Sequence, residues 1–323
     1  MRTNVSLRDP KKVDPCVSIT VRSLRPTPLI RCSPRLEEAR VLHEISIKAR
    51  QDRLETKAIR FARRALAILE RDHADGREIG QVLISLAAAY LDSGDHSRAE
   101  ASYRRAEGLL QAMSEAGGCL ETQRLRIDAA RGLAGVAYAL GRYREAEAML
   151  TDAIGTAKWT FGHQHVAVAL VLNDLGALHR QTGRFDSAYR LHRNALAITS
   201  RVLGTAHPQT ADILHNLTAL EVAAGENRRA EPFARRALAI REQTLGPDHP
   251  RVGTAAASLA SILEGLGDYD QAEALYRRAL TIFERRFDPN HPEVALMVNS
   301  LASLVRPKAS TAALLTHSVS ATG

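Results

Sequence analysis

The 323 residues predict an all-α solenoid of antiparallel helix hairpins. The segment Ala195-Leu196-Ala197-Ile198 returns 42 residues on as Ala237-Leu238-Ala239-Ile240 and again as Ala279-Leu280-Thr281-Ile282, with Ala153-Ile154 one step earlier. Gly141, Gly183, Gly225 and Gly267 keep the same step of 42, as do His165, His207, His249 and His291. Fixed self-similarity at this length marks a repeat architecture, in which each unit buries its apolar face against its neighbours. Composition agrees: apolar residues are 45 % of the chain and aromatics only 4 %, which suits close-packed helices and leaves few strand formers.

Residues 1–34 form a leader of Pro, Ser, Thr and short apolar pieces without a period and read as disordered. Eight Lys and Arg up to Arg35 face only Asp9 and Asp14, so +6 of the net charge of +8 sits there. A nearly neutral body behind a basic leader is not a phosphate-tracking stripe, and nucleic acid is not expected as a partner of the repeats. A nucleic-acid tether through the leader, with steep salt dependence, is a rival reading. The apolar stretch Val17 to Val21 is too short for a secretory segment, and no run approaches the ~18 residues of a membrane span. An organelle transit peptide stays open, since the leader is Arg-containing and acid-poor. Cys16, Cys32 and Cys119 show no C-x-x-C spacing, which fits a reducing compartment rather than a disulfide framework or zinc cage. These features predict a cytoplasmic protein without membrane association.

Residues 35–76 read as a degenerate first hairpin. Phe61 to Ile68 match the second-helix pattern, Leu42 and Ile45 suggest the first helix, and the glycine turn is missing. Residues 77–305 hold about five clear units and a capping helix carrying Val298, Leu301, Ala302 and Val305 before Pro307. Within a unit the spacing is helical: Leu214, Leu217 and Leu220, then Gly225, then Ala230, Phe233, Ala234 and Ala237. Glycine stands where the first helix must stop and reverse, and Asp95 and Asp268 just beyond it are placed to cap the second. His-Pro pairs such as His207-Pro208 open the next unit, where proline loses no needed donor. Gly94 to Gly141 and Ala106 to Ala153 are both 47 residues apart, which places five extra residues in a loop near Ser114 to Gly118. Residues 306–323 read as a disordered tail.

In one unit, Leu83, Leu86, Ala87, Tyr90, Gly94, Ala99, Tyr103 and Ala106 set small residues where two helices meet and larger ones around them; Leu172, Leu175, Gly176, Gly183, Ala188 and Ala195 do so in another. With Leu-Gly-Pro-Asp-His-Pro at Leu245 to Pro250 and Arg-Arg-Ala-Leu-Ala-Ile at Arg235 to Ile240, the sequence resembles the tetratricopeptide repeat family, specifically its 42-residue variety found in kinesin light chains and many bacterial regulators. The resemblance covers about residues 77 to 305. It implies a right-handed superhelix whose first helices line a concave face. Its outward positions fall on Asp128, Arg131 and Tyr138; Asn173, Asp174, Arg180 and Gln181; Asp212, His215 and Asn216; Ser258, Ser261 and Glu264; and Asn299 and Ser300.

In kinesin light chains paired asparagines of the first helix contact cargo peptides, so the resemblance points to Asn173, Asn216 and Asn299. Asn-Asp, His-Asn, Ala-Ser and Asn-Ser stand here in place of Asn-Asn, and cationic groove residues are few beyond Arg131 and Arg180. The implied function is a non-catalytic adaptor or scaffold that holds a protein or peptide in the groove, with Arg131, Tyr138, Asn173, Asp174, Arg180, His215, Asn216 and Asn299 as contact residues. The alternative is a sensor or regulator in bacterial signalling that binds a small peptide or effector partner; 38 Arg against 6 Lys suggests a GC-rich genome.

No catalytic residue, cofactor or metal is predicted. The repeated histidines lie one helix-packing step apart, so at most two could reach one ion, and a helix-entry role explains them better. There is no Gly-rich phosphate loop with Gly-Lys-Ser/Thr, no G-x-S-x-G and no H-E-x-x-H. Cys119, beside the extra loop, has no basic cluster near it in sequence. Arg104-Arg105, Arg235-Arg236 and Arg277-Arg278 read as solvated outer faces. Trp159, the single tryptophan, is expected to pack over the junction between two units.

Overall fold

The computed structural model describes residues 34–304; residues 1–33 and 305–323, and with them Cys16, Cys32, the leader and tail assignments and the tether reading, lie outside the described residues. Every regular element among the described residues is a helix. They are α1 (Pro34–Gln51), α2 (Glu55–Arg71), α3 (Gly76–Asp92), α4 (His96–Glu115), α5 (Leu120–Ala139) and α6 (Tyr143–Phe161), followed by α7 (Val166–Gln181), α8 (Phe185–Val202), α9 (Pro208–Ala223), α10 (Asn227–Leu245), α11 (Pro250–Gly265) and α12 (Tyr269–Glu284). A last helix, α13, occupies residues 292–304. The protein is an all-α repeat array that divides into two compact units, residues 1–160 and 161–323.

In the first unit α1 packs on α2 and α3 on α4; α2 then meets α3, α4 meets α5, and the first helices α1, α3 and α5 are neighbours. The second unit repeats the plan with α7 on α8, α9 on α10 and α11 on α12, and with α7 beside α9. Alanine sits where helices come closest: Ala62, Ala65, Ala87, Ala99 and Ala106 in one core, and Ala230, Ala256, Ala260, Ala272 and Ala279 in the other, are wholly buried. Larger side chains fill the space between, Leu83, Leu86 and Tyr103 in the first unit and Leu259, Ile262 and Phe283 in the second. Each such leucine contributes roughly 1.5–3 kcal/mol through the apolar surface it removes from water.

The hairpin turns follow the expected chemistry. Gly94, Gly141, Gly183, Gly225 and Gly267 all take left-handed φ between 73 and 84°, which costs little without a Cβ. The first hairpin makes the same turn on Arg53 at φ 58°, so it closes without the glycine that the pattern lacks there. Asp95 accepts from the backbone N–H of Arg98 at 3.0 Å and Asp268 from that of Gln271 at 3.2 Å. The repeated histidines are caps: the Nδ1 atoms of His165, His207, His249 and His291 accept from the N–H groups of Ala167, Gln209, Arg251 and Glu293 at 3.1 to 3.3 Å. Phe161 and Phe287 stack on two of them, His165 and His291, at 4.4 and 4.0 Å between ring centroids.

Two sequence expectations are corrected. The five extra residues do not make a loop, because α4 runs to Glu115 and the turn is only Ala116 to Cys119; the insertion lengthens α4 and α5 to 20 residues each, against 18 and 16 for α8 and α9. Trp159 does not pack: it is 88 % exposed. The buried stripe of α6 is Ala146, Leu150, Ala153 and Ala157, and a residue two positions past Ala157 falls on the opposite side of a 3.6-residue helix. The arginine pairs are on the surface as read. Arg105 bridges to Glu70 of α2 at 2.6 Å and Arg278 to Glu242 of α10 at 2.5 Å, linking successive second helices.

Candidate functional site

The first helices of the second unit carry the polar residues that the register singles out. Asn173 lies on α7 and Asn216 on α9, both half-buried, and Asn216 Nδ2 donates to Asn173 Oδ1 at 3.0 Å. The same oxygen lies 3.0 Å from Nδ1 of His192, a wholly buried residue of α8. His192 fits there because Gly176 has no side chain; a Cβ at that position would lie 2.8 Å from the imidazole. Burial first, then the Arg180 guanidinium, depresses the His192 pKa to about 4, so the ring is neutral at pH 7. Asp174, beside Asn173 on α7, is half-buried.

His215, one residue before Asn216, is likewise held neutral. Burial and the neighbouring Arg241, against a smaller opposing pull from Asp212, lower its pKa to about 4. Arg241 comes from α10, is buried, and donates through Nη2 to Asp212 Oδ1 at 3.1 Å; Arg251 lies 3.8 Å from that same oxygen. Arg180 also acts on both imidazoles. His192 and Arg241 were not legible as site residues because both sit on second helices, whereas the register marks only first helices. The spacing of 19 residues between Asn173 and His192 becomes meaningful only once the hairpin closes.

Beyond His215 the wall opens into a cleft of about 470 Å³ between α9, α11 and α13. Thr218, Ala219 and Val222 of α9, Ala257, Ser258 and Ser261 of α11, and Leu296, Met297 and Ser300 of α13 line it, over Tyr276 of α12. Leu296 is 54 % exposed there although it is a large apolar residue. The Tyr276 hydroxyl donates to Glu264 Oε2 at 3.0 Å, and burial with that carboxylate pushes its pKa up to about 12. Of the residues read from sequence, His215, Ser258, Ser261 and Ser300 line the cleft. Asn299 is exposed on the same helix as Ser300 but outside the lining.

Arg131 and Tyr138 belong to α5 of the first unit and are part of different contacts. Arg131 pairs with Asp128 at 3.3 Å, and Asp128 also receives Arg124 at 2.7 Å. The Tyr138 ring lies 5.9 Å from that of Tyr143. Cys119 proves to be buried at the start of α5, with Arg77 Nη1 3.4 Å from its sulfur, a cationic neighbour 42 residues away that only the fold supplies. Among the described residues no three His, Cys, Asp or Glu side chains gather as a metal site would require, and no helix is long and apolar enough to cross a membrane. Amides, hydroxyls and apolar groups on this wall can hydrogen-bond and desolvate a bound peptide.

Tetratricopeptide repeat family models match residues 125–188, 168–243, 230–285 and 251–306, and a further one matches residues 80–109. No curated protein sequence matches this one. Among solved structures, BtubC (BKLC) from P. vanneervenii is similar at 24 % identity over 75 % of this chain and 94 % of that one, with a TM-score of 0.55. The Rap conjugation gene regulator of plasmid pLS20, in complex with the Phr* peptide, is 12 % identical over 91 % of this chain and 81 % of its own, with a TM-score of 0.58. A signal transduction ATPase with a tetratricopeptide repeat sensor from Pyrococcus horikoshii is 15 % identical over 84 % of this chain and 39 % of that one, with a TM-score of 0.55. At these identities the likeness is one of fold.

Proposed function

Because the protein belongs to the tetratricopeptide repeat family, whose members are generally non-catalytic scaffolds, we propose that it is a binding protein whose second unit holds an extended peptide segment of a protein partner. The observation that carries this reading is the cleft between α9, α11 and α13, with Leu296 and Val222 left 54 % and 41 % exposed at its wall and hydroxyls between them. Its volume of about 470 Å³ is in the range that accommodates an apolar residue with its flanking backbone. Asn173, Asn216, Arg180 and His215 continue the wall with hydrogen-bonding groups, which an extended backbone needs because its own N–H and C=O groups are unpaired. The Rap regulator, which shares the fold, is in complex with a peptide. The reading includes a cytoplasmic setting, supported by the sparse, unpatterned cysteines.

The test is a photo-cross-linking amino acid placed singly at Leu296, at Ser258 and, as a control, at Arg236 on the outer side of α10. Partner cross-links at the first two positions, reduced by Asn173→Ala with Asn216→Ala at unchanged helicity, are expected. Equal cross-linking at Arg236 would overturn the cleft as the binding surface.

A further inference from the structure

We propose that His192, although wholly buried, is a positioning residue that sets the hydrogen-bond polarity of the binding wall, turning Asn173 Nδ2 and Asn216 Oδ1 outward as a matched donor and acceptor for one peptide group. The inference rests on the reading of the α7–α9 wall as peptide-binding and names how that wall addresses the ligand backbone.

Asn173 Oδ1 is taken twice, by Asn216 Nδ2 and by His192 Nδ1, each at 3.0 Å. An amide oxygen can only accept, so His192 must carry its proton on Nδ1. The ring is neutral, which leaves Nε2 with a lone pair and no proton. Nε2 is buried without a partner, and this decides between the two self-consistent networks. Reversing both amides would place the proton on Nε2 and strand a buried N–H, the costlier of the two orphans. With the polarity as stated, Asn173 Nδ2 and Asn216 Oδ1 make no hydrogen bond among the described residues, while both side chains are half-buried rather than sealed. A backbone C=O and a backbone N–H of an extended ligand are the complementary pair. Gly176 is part of the device, since any Cβ there meets the imidazole at 2.8 to 2.9 Å and would dislodge it.

The experiment uses the full-length protein labelled with ¹⁵N-histidine and ¹⁵N-asparagine. Long-range ¹H–¹⁵N correlation spectra read the tautomer, and N-acetyl-leucine N-methylamide, a small peptide mimic with an apolar side group, is the titrated probe. His192 is expected as the Nδ1–H tautomer, and the probe is expected to shift the Asn173 amide N–H₂ resonance. In His192→Phe, which keeps the packing and removes the donor, probe affinity should fall about five-fold, the value of roughly one hydrogen bond. His192→Gln, which restores an N–H, should recover part of the loss. An Nε2–H tautomer, or equal probe affinity in His192→Phe and wild type, overturns the proposal. If the tautomer is Nδ1–H but the probe moves no Asn173 or Asn216 resonance, the polarity stands and the peptide-binding reading of the wall fails.

Discussion

Burial fixes the protonation of two imidazoles in the second unit, and stability should report it. His192 and His215 titrate at about 4 in the fold against an ordinary value of 6.5. The unfolded state therefore binds more protons between those values, so stability is full above about pH 6.5 and is lost as pH falls toward 4. For the wholly buried His192 the loss amounts to about 3 kcal/mol at the acid end. Urea midpoints should hold from pH 7.5 to about 6.5 and fall from there to pH 4.5, and His192→Phe should flatten the fall; a parallel decline in the variant would show that His192 is not its source. The capping histidines make a separate prediction. His207→Ala removes the acceptor that holds the Gln209 N–H at 3.2 Å and should cost about 1 kcal/mol in thermal unfolding, whereas His207→Asp should retain most of it.

At the level of elements, the start and stop signals are written locally. Glycine, Asp and His-Pro each satisfy backbone groups within a few residues of themselves, so their positions are readable without any tertiary knowledge. The first hairpin shows the limit. Arg53 adopts φ 58° because α1 and α2 pack together strongly enough to outweigh the cost of a left-handed residue with a Cβ. Arg53→Gly should relieve that strain and raise stability by about 0.5–1 kcal/mol, net of the extra entropy of the unfolded glycine, as read by the shift in the denaturation midpoint. An unchanged or lower midpoint would mean that the arginine contributes more than the strain it carries. The lengthened α4 and α5 teach the complementary lesson. Ser114 and Glu115 have loop-compatible composition next to a Gly-Gly pair, yet helix propagation continues to Glu115 because each added residue gains a backbone hydrogen bond.

Over the whole molecule, repeat stacks draw stability from each hairpin and its neighbours rather than from one central core. Leu259, 2 % exposed in the core shared by α10 to α13, should cost roughly 2–4 kcal/mol on replacement by alanine. Hydrogen exchange in Leu259→Ala should accelerate in α9 to α12 while α1 to α4 keep their protection; uniform acceleration would show one cooperative unit instead.

The amino-acid sequence by itself determined the helical period, the 42-residue step, the turn and cap residues and the first-helix positions of Asn173, His215 and Asn216, because each of these depends on neighbours within about one turn or on exact repetition. The tertiary structure decided the rest. It brought His192 to Asn173, Arg241 to Asp212 and Arg77 to Cys119, turned Trp159 outward, and opened the cleft beside Leu296. Those outcomes follow from which helix faces meet when hairpins stack, and contacts between residues 19 to 42 positions apart leave no trace in local spacing.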